Sequence, residues 1–134
     1  MSAPGFNPLR WNCSLRGCFN LKRRPKIEVF ADCFPRRINF GDVDGIVEIN
    51  GYALMLEWKS SASELPTGQR KMYSKLTSAG KTTVLCLVGD AETMKVTHQQ
   101  TFTAGKSSGW KECSLDDAKA FMRAWSDYAE QRAA

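Results

Sequence analysis

No apolar run in the chain approaches the roughly 20 residues needed to cross a bilayer. The amino terminus also lacks the basic, apolar, small-residue order of a secretory leader. The two absences together lead to the expectation of a cytoplasmic protein with no membrane partner. CxxC spacing is missing as well. Cys13, Cys18, Cys33, Cys86 and Cys113 form an odd, scattered set, which argues against a disulfide framework and for reduced thiols. Two readings stay open for Cys13, Cys18, Cys33 and Cys113: ligands of zinc or an iron–sulfur centre, or small core residues, the commoner state of a free cysteine. There is no internal repeat and no low-complexity tract. The single histidine, His98, lies away from every motif described below and is assigned no role.

What is present is enough for one ordinary domain: 134 residues, 43% apolar and 10% aromatic, expected to fold around one core. The net charge of +5 is unevenly placed. Residues 10–37 hold eight basic side chains (Arg10, Arg16, Lys22, Arg23, Arg24, Lys26, Arg36, Arg37) against Glu28 and Asp32, a balance of +6, so the remainder carries −1. An excess of this kind suits a phosphate backbone, although a solvated basic face has the same appearance.

Residues 1–24 read as an irregular basic arm, 25–89 as a core and 90–134 as carboxy-terminal additions. Pro25 suits a first helical position, and Ile27, Phe30, Ala31 and Phe34 follow at the spacing of a short helix that Pro35 ends. Gly45 to Ile49 and Tyr52 to Trp58 read as strands joined by Asn50-Gly51, the strongest short-range hairpin signal. Pro66 to Ala79 reads as a helix opened by Pro66 and closed by Gly80, with Gln69, Met72, Tyr73 and Leu76 on one face. The run from Thr82 to Val88 has the character of a strand buried on both sides. Lys95 to Thr103 reads as part of a peripheral hairpin. Ser114 with Asp117 resembles a capping box ahead of a helix bearing Leu115, Ala118, Phe121, Met122, Trp125 and Tyr128. The expected class is α/β with a mixed sheet.

The two-residue turn sets the strand register. Ile49 faces Tyr52, Glu48 faces Ala53, Val47 faces Leu54, Ile46 faces Met55 and Gly45 faces Leu56. Extended outward, the same pairing puts Asp44 opposite Glu57 and Asp42 opposite Lys59, all on one sheet face. Opposed carboxylates repel, and a divalent cation reverses the sign of that cost. Asp44 and Glu57 suit Mg²⁺ or Mn²⁺, which take oxygen ligands, water and phosphate oxygens. A lysine beside them can hold an attacking water or stabilise charge on a phosphorus centre, so metal-assisted phosphodiester hydrolysis is the expected chemistry. A simpler reading makes Asp42 and Lys59 a surface ion pair and leaves both other carboxylates in solvent.

Gly41-Asp-Val-Asp44-Gly, with twelve residues between Asp44 and Glu57, then Glu57-Trp-Lys59, then Gln69 on a helix followed by Leu76, Gly80 and an apolar strand, resembles the PD-(D/E)xK nuclease superfamily. The order is similar to its virus-type replication and repair nuclease branch and to Holliday junction resolvase relatives, over about residues 26 to 89. The resemblance implies a restriction-endonuclease-like core: helix, three-stranded meander, helix and strand, with a carboxy-terminal hairpin and helix added. It implies Asp44 and Glu57 as metal ligands, the Trp58 carbonyl as a further ligand, Lys59 as the catalytic lysine, Glu28 as an acidic contribution from the first helix, and Gln69 as an orienting group. Val43 stands where the superfamily has proline. Glu28 also reads as an ion-pair partner of Arg24 or Lys26, and Gln69 as an ordinary polar first-turn residue. Arg23, Arg24, Arg36, Arg37, Arg70, Lys71 and Lys75 are the expected nucleic-acid contacts, and Trp11 and Trp110 read either as base-stacking or as packing residues. The expected activity is a metal-dependent, structure-selective DNA endonuclease similar to small phage-encoded nucleases, acting in a host cytoplasm. A two-fold symmetric junction as substrate favours a homodimer. The alternative is a module on the same fold that binds nucleic acid or a host protein without cutting.

Overall fold

A computed structural model describes residues 26–38 and 40–132. The chain divides into two compact units, residues 1–41 and 42–134. In the first, Ile27–Cys33 forms a 3-10 helix, with Phe34 extended after it. The expected amphipathic helix is therefore tighter than an α-helix, and none of its residues is buried: Val29 and Phe30 are 68% and 48% exposed. Aromatic edges supply local order, with Phe34 and Phe40 ring centroids 5.4 Å apart.

The second unit contains a six-stranded mixed sheet flanked by two α-helices. Strands β1 (Gly45–Ile49) and β2 (Tyr52–Lys59) form the hairpin, in the register expected from the turn at all five positions. Asn50 and Gly51 both have positive φ, 52° and 84°, the conformation a two-residue primed turn demands. Helix α1 (Thr67–Thr77) then returns the chain so that β3 (Thr82–Asp90) lies parallel to β2. A parallel pair needs such a crossover. Strand β4 (Lys95–Thr103) runs antiparallel to β3, and two short strands, β5 (Lys106–Ser107) and β6 (Lys111–Glu112), both pair with β4. Helix α2 (Leu115–Glu130) closes the unit behind a complete capping box of Ser114 and Asp117.

Period-two alternation splits the sheet into two apolar faces. Leu54, Leu85, Leu87 and Val96 pack with Ala118, Trp125 and Ala129 of α2, joined by the half-buried Tyr52, Leu56 and Trp58. On the other side Val84, Cys86 and Phe102 pack with Leu65 and with Tyr73 of α1, alongside Met55. Thr83 to Val88 are all buried, as a central strand covered on both sides must be. Two expectations change here. Strand β4 is an integral part of the core, contributing Val96, Gln100 and Phe102, where a peripheral hairpin was expected. Among the described residues two strands, where a three-stranded meander was expected, precede α1.

Long-range hydrogen bonds tie the elements. Thr77 Oγ1 accepts from Gly105 N at 3.0 Å and donates to Tyr73 O, while Ser74 Oγ donates to Gly105 O at 2.6 Å, so α1 grips the β4–β5 turn. This grip decides which face of α1 is buried: Tyr73 and Thr77 point inward, whereas Met72 and Leu76, expected on the inner face, are 45% and 46% exposed. Asn50 Nδ2 donates to Ala129 O and Arg132 O, both at 3.1 Å, and thereby satisfies carbonyls at the end of α2. At Gly89 the β3–β4 register shifts, and a Cβ there would lie 2.2 Å from Lys95 O.

Candidate functional site

Alternation along β2 sends Tyr52, Leu54, Leu56 and Trp58 toward α2, and Met55, Glu57 and Lys59 toward α1. Glu57 and Lys59 thus leave the carboxyl end of the strand on the face that carries Cys86 and Tyr73. Glu57 is 8% exposed, and no donor among the described residues hydrogen-bonds its carboxylate. Burial raises its pKa above the ordinary 4.5, the neighbouring Asp44 raises it further, Lys59 opposes the shift and Asp42 adds to it. These electrostatic neighbours are the four groups that the hairpin register was expected to assemble.

The way Asp44 arrives differs from that expectation. The ladder ends at Gly45↔Leu56, so Asp44 is not a cross-strand partner of Glu57. Its Oδ2 instead accepts from Trp58 N at 2.6 Å, replacing the main-chain carbonyl that a longer ladder would have offered. A side-chain acceptor ends the strand pairing and holds the Asp44 carboxylate at the ladder's open end, with Oδ1 outside this bond. N–H and C=O of one strand residue leave toward the same neighbour, so the Trp58 carbonyl faces this open end too.

Lys59 is not ion-paired with Asp42. Its Nζ donates to Gln69 Oε1 at 2.7 Å, linking the end of β2 to the first turn of α1. The Gln69 side chain is thus turned toward Lys59. A cleft of about 170 Å³ opens between Lys59, Gln69 and the loop 60–66. That loop is held from two directions. Trp110 Nε1 donates to Ser63 O at 2.9 Å, and Arg70 donates to Leu65 O while pairing with Glu64 at 3.3 Å. Trp110 is therefore a packing and bridging residue, not a free stacking platform, and Arg70 is partly committed to structure.

Lys71 and Lys75 are exposed on α1, where they line a basic cleft of about 270 Å³ with Thr67, Arg70 and Ser74. Glu28, Arg36 and Arg37 are exposed residues of the first unit. Arg23, Arg24, Trp11, Cys13 and Cys18 lie outside the described residues, while Cys33 is exposed, Cys113 partly buried and Cys86 buried. Burial pushes the Cys86 thiol up to about 11, Lys59 working against the shift and Glu57 with it, so this thiol stays protonated at neutral pH.

Tyr73 is the residue that sequence reasoning left as core. It stands one helical turn after Gln69, is 1% exposed, and packs edge to face on Phe102 at 5.3 Å. Burial raises its phenol pKa, and Glu57, Cys86 and Asp44 raise it further, so it is a neutral hydroxyl among the acidic groups. The i, i+4 spacing from Gln69 was the available signal.

The donor set fits a small hard cation. A buried carboxylate without a hydrogen-bond donor, a second carboxylate beside it and an outward carbonyl are oxygen ligands, and they are few enough to leave positions for water and phosphate. No group of three or more His, Cys, Asp or Glu poised to hold a metal occurs among the described residues. The chain matches no family model, no curated protein and no solved structure.

Proposed function

We propose that the protein is a Mg²⁺- or Mn²⁺-dependent phosphodiesterase acting on DNA, with its reaction centre at Asp44, Glu57, Lys59 and Gln69. The observation that carries this reading is the Glu57 side chain, mostly buried and with no protein donor on its carboxylate, beside Asp44 and a lysine that is bonded to Gln69. Ionising an acid placed this way costs desolvation and repulsion from Asp44, a cost that a bound cation would offset.

When bound, the divalent cation neutralises phosphate charge and makes water more acidic. Asp44, Glu57 and the Trp58 carbonyl would hold it. The Lys59 ammonium, fixed by Gln69, has donors left to orient an attacking water or to stabilise a non-bridging phosphate oxygen as charge builds there. Tyr73 keeps water away from the inner side of the Glu57 carboxylate. Lys71 and Lys75 hold the phosphate backbone without reading bases, which favours recognition of DNA shape over sequence.

The deciding experiment incubates the protein with linear, single-stranded, supercoiled and four-way-junction DNA in Mg²⁺, Mn²⁺ or EDTA, beside Glu57→Ala and Lys59→Ala. Cutting that needs metal and vanishes in both variants supports the proposal. DNA binding on every substrate without cutting, unaffected by either substitution, replaces it with a non-cleaving binding module.

A further inference from the structure

Helix α2 and the sheet do not meet along their whole length. Leu85 and Leu87 of β3 face α2 and pack beneath it. One step earlier in the same period-two row stands Thr83, and directly opposite it on β4 stands Thr103. Two threonines fill less space than the leucines beside them, and a cleft of about 390 Å³ opens there between helix and sheet. Tyr52 of β2 and Phe121, Trp125 and Tyr128 of α2 form its walls. Packed interiors leave few gaps larger than a water molecule, whereas small-molecule sites are mostly apolar clefts of roughly 300–1,000 Å³ with a few convergent polar groups.

The lining specifies an occupant. The walls are aromatic: Tyr52 and Tyr128 meet edge to face with ring centroids 5.8 Å apart, and Trp125 is buried beside them. The floor is polar: Thr83 is only 8% exposed, yet neither its hydroxyl nor that of Thr103 is hydrogen-bonded among the described residues. Two cations rest on the wall rings. Lys81 Nζ lies 5.8 Å from the Tyr52 ring centroid, and the Arg132 guanidinium carbon lies 3.9 Å from that of Tyr128. Neither is ion-paired among the described residues, so uncompensated positive charge flanks the cleft.

We propose that this cleft binds a small planar aromatic anion, a class to which nucleoside monophosphates and aromatic carboxylates both belong. The flat ring lies against the faces and edges of the four aromatic side chains, the Thr83 and Thr103 hydroxyls meet its polar atoms, and Lys81 and Arg132 receive the negative charge. A neutral ring would leave both cations unused, and a simple inorganic anion would leave the aromatic walls wet, so the ligand needs both parts.

The cleft is separate from the reaction centre. Tyr52 opens β2 and Lys59 ends it, roughly 23 Å further along the strand. Glu57 and Lys59 face α1, while the cleft faces α2. The inference therefore stands whether or not the protein cuts DNA.

Isothermal titration calorimetry of the full chain, without metal or DNA, tests it with three kinds of probe. Deoxyadenosine monophosphate and indole-3-acetate carry ring and charge, deoxyadenosine and indole the ring alone, and inorganic phosphate and acetate the charge alone. At least one of the first pair is expected to bind with a dissociation constant below about 1 mM, and its neutral and ring-free counterparts at least about tenfold more weakly. Whichever of the two binds more tightly names the source of the anion. Ala124 is an exposed helix residue lining the cleft, so Ala124→Leu keeps the helix and fills the space, and it is expected to weaken binding at least about tenfold. Lys81→Gln combined with Arg132→Gln is expected to bring the anion down to the affinity of the neutral ring, and it decides the matter should thermal melts show Ala124→Leu to be misfolded. No binding by either ring-bearing anion at about 5 mM, a neutral ring that binds as tightly as its anion, or binding unchanged in a folded Ala124→Leu overturns the proposal.

Discussion

Replacing Glu57 with Gln is expected to stabilise the protein while abolishing its activity. The wild-type side chain is 8% exposed with no hydrogen-bond donor on its carboxylate, and its folded-state pKa is raised above 4.5. Below pH 4.5 both folded and unfolded chains carry the proton, so burial costs little. As pH rises through the folded pKa the acid must ionise in a largely desolvated setting beside Asp44, and stability is lost. An unsatisfied buried polar group costs about 1–3 kcal/mol, and the low end applies because the carboxylate oxygens are not fully enclosed and the glutamine amide still needs partners. At pH 8 in EDTA the variant should therefore gain about 1 kcal/mol, a rise in melting temperature of about 5 °C. At pH 4 the two proteins should melt together. Mg²⁺ at ten times its dissociation constant should return about 1.4 kcal/mol to the wild type and nothing to the variant. Thermal melts at pH 4 and 8, with and without metal, check all four values. A variant less stable at pH 8 in EDTA, or a difference independent of pH, refutes the reasoning.

Lys59→Ala should lower the cleavage rate at least about a hundredfold, with DNA affinity by gel shift nearly unchanged, because its loss is felt where charge develops. Gln69→Ala should cost less, about tenfold in single-turnover rate, since it frees the ammonium without deleting it. Asn50→Ala should destabilise by about 2 kcal/mol in urea melts, from losing both the positive φ and the α2 cap, whereas Asn50→Gly keeps the turn and loses only the cap. Gly89→Ala should cost about 2–4 kcal/mol, because the new methyl collides with main chain at the β3–β4 bulge; a neutral result by calorimetry would mean that the bulge relaxes freely.

The parts of this molecule legible in its sequence are those governed by local chemistry. Asn50-Gly51 can form only a narrow set of turns, so the five hairpin pairs followed directly, and the Ser114–Asp117 cap and the doubly buried β3 were equally readable. Prediction failed where partners lie far along the chain. Asp44 stops the ladder with its own carboxylate, a competition between side chain and main chain that period-two counting ignores. The inner face of α1 is set by a hydroxyl network with Gly105, so Thr77 is buried in place of the more apolar Leu76. Apolar spacing correctly marked Ile27 to Cys33 as helical but wrongly included Phe34, and a seven-residue segment with nothing buried settled into the tighter 3-10 form. At the candidate site, register named Asp44 and Asp42 as electrostatic neighbours of Glu57 but wrongly made Asp44 its ladder partner, while the Lys59–Gln69 bond required the crossover geometry of β2, α1 and β3.

The bond network from Asn50 to the end of α2 spans 79 to 82 residues of chain. During synthesis the hairpin emerges from the ribosome well before that helix exists, so the Asn50 amide is bonded only by water until residues 129–132 have been added. Completion of the fold thus depends on α2 being translated, and nascent chains truncated upstream of α2 would be held open for chaperones and proteases.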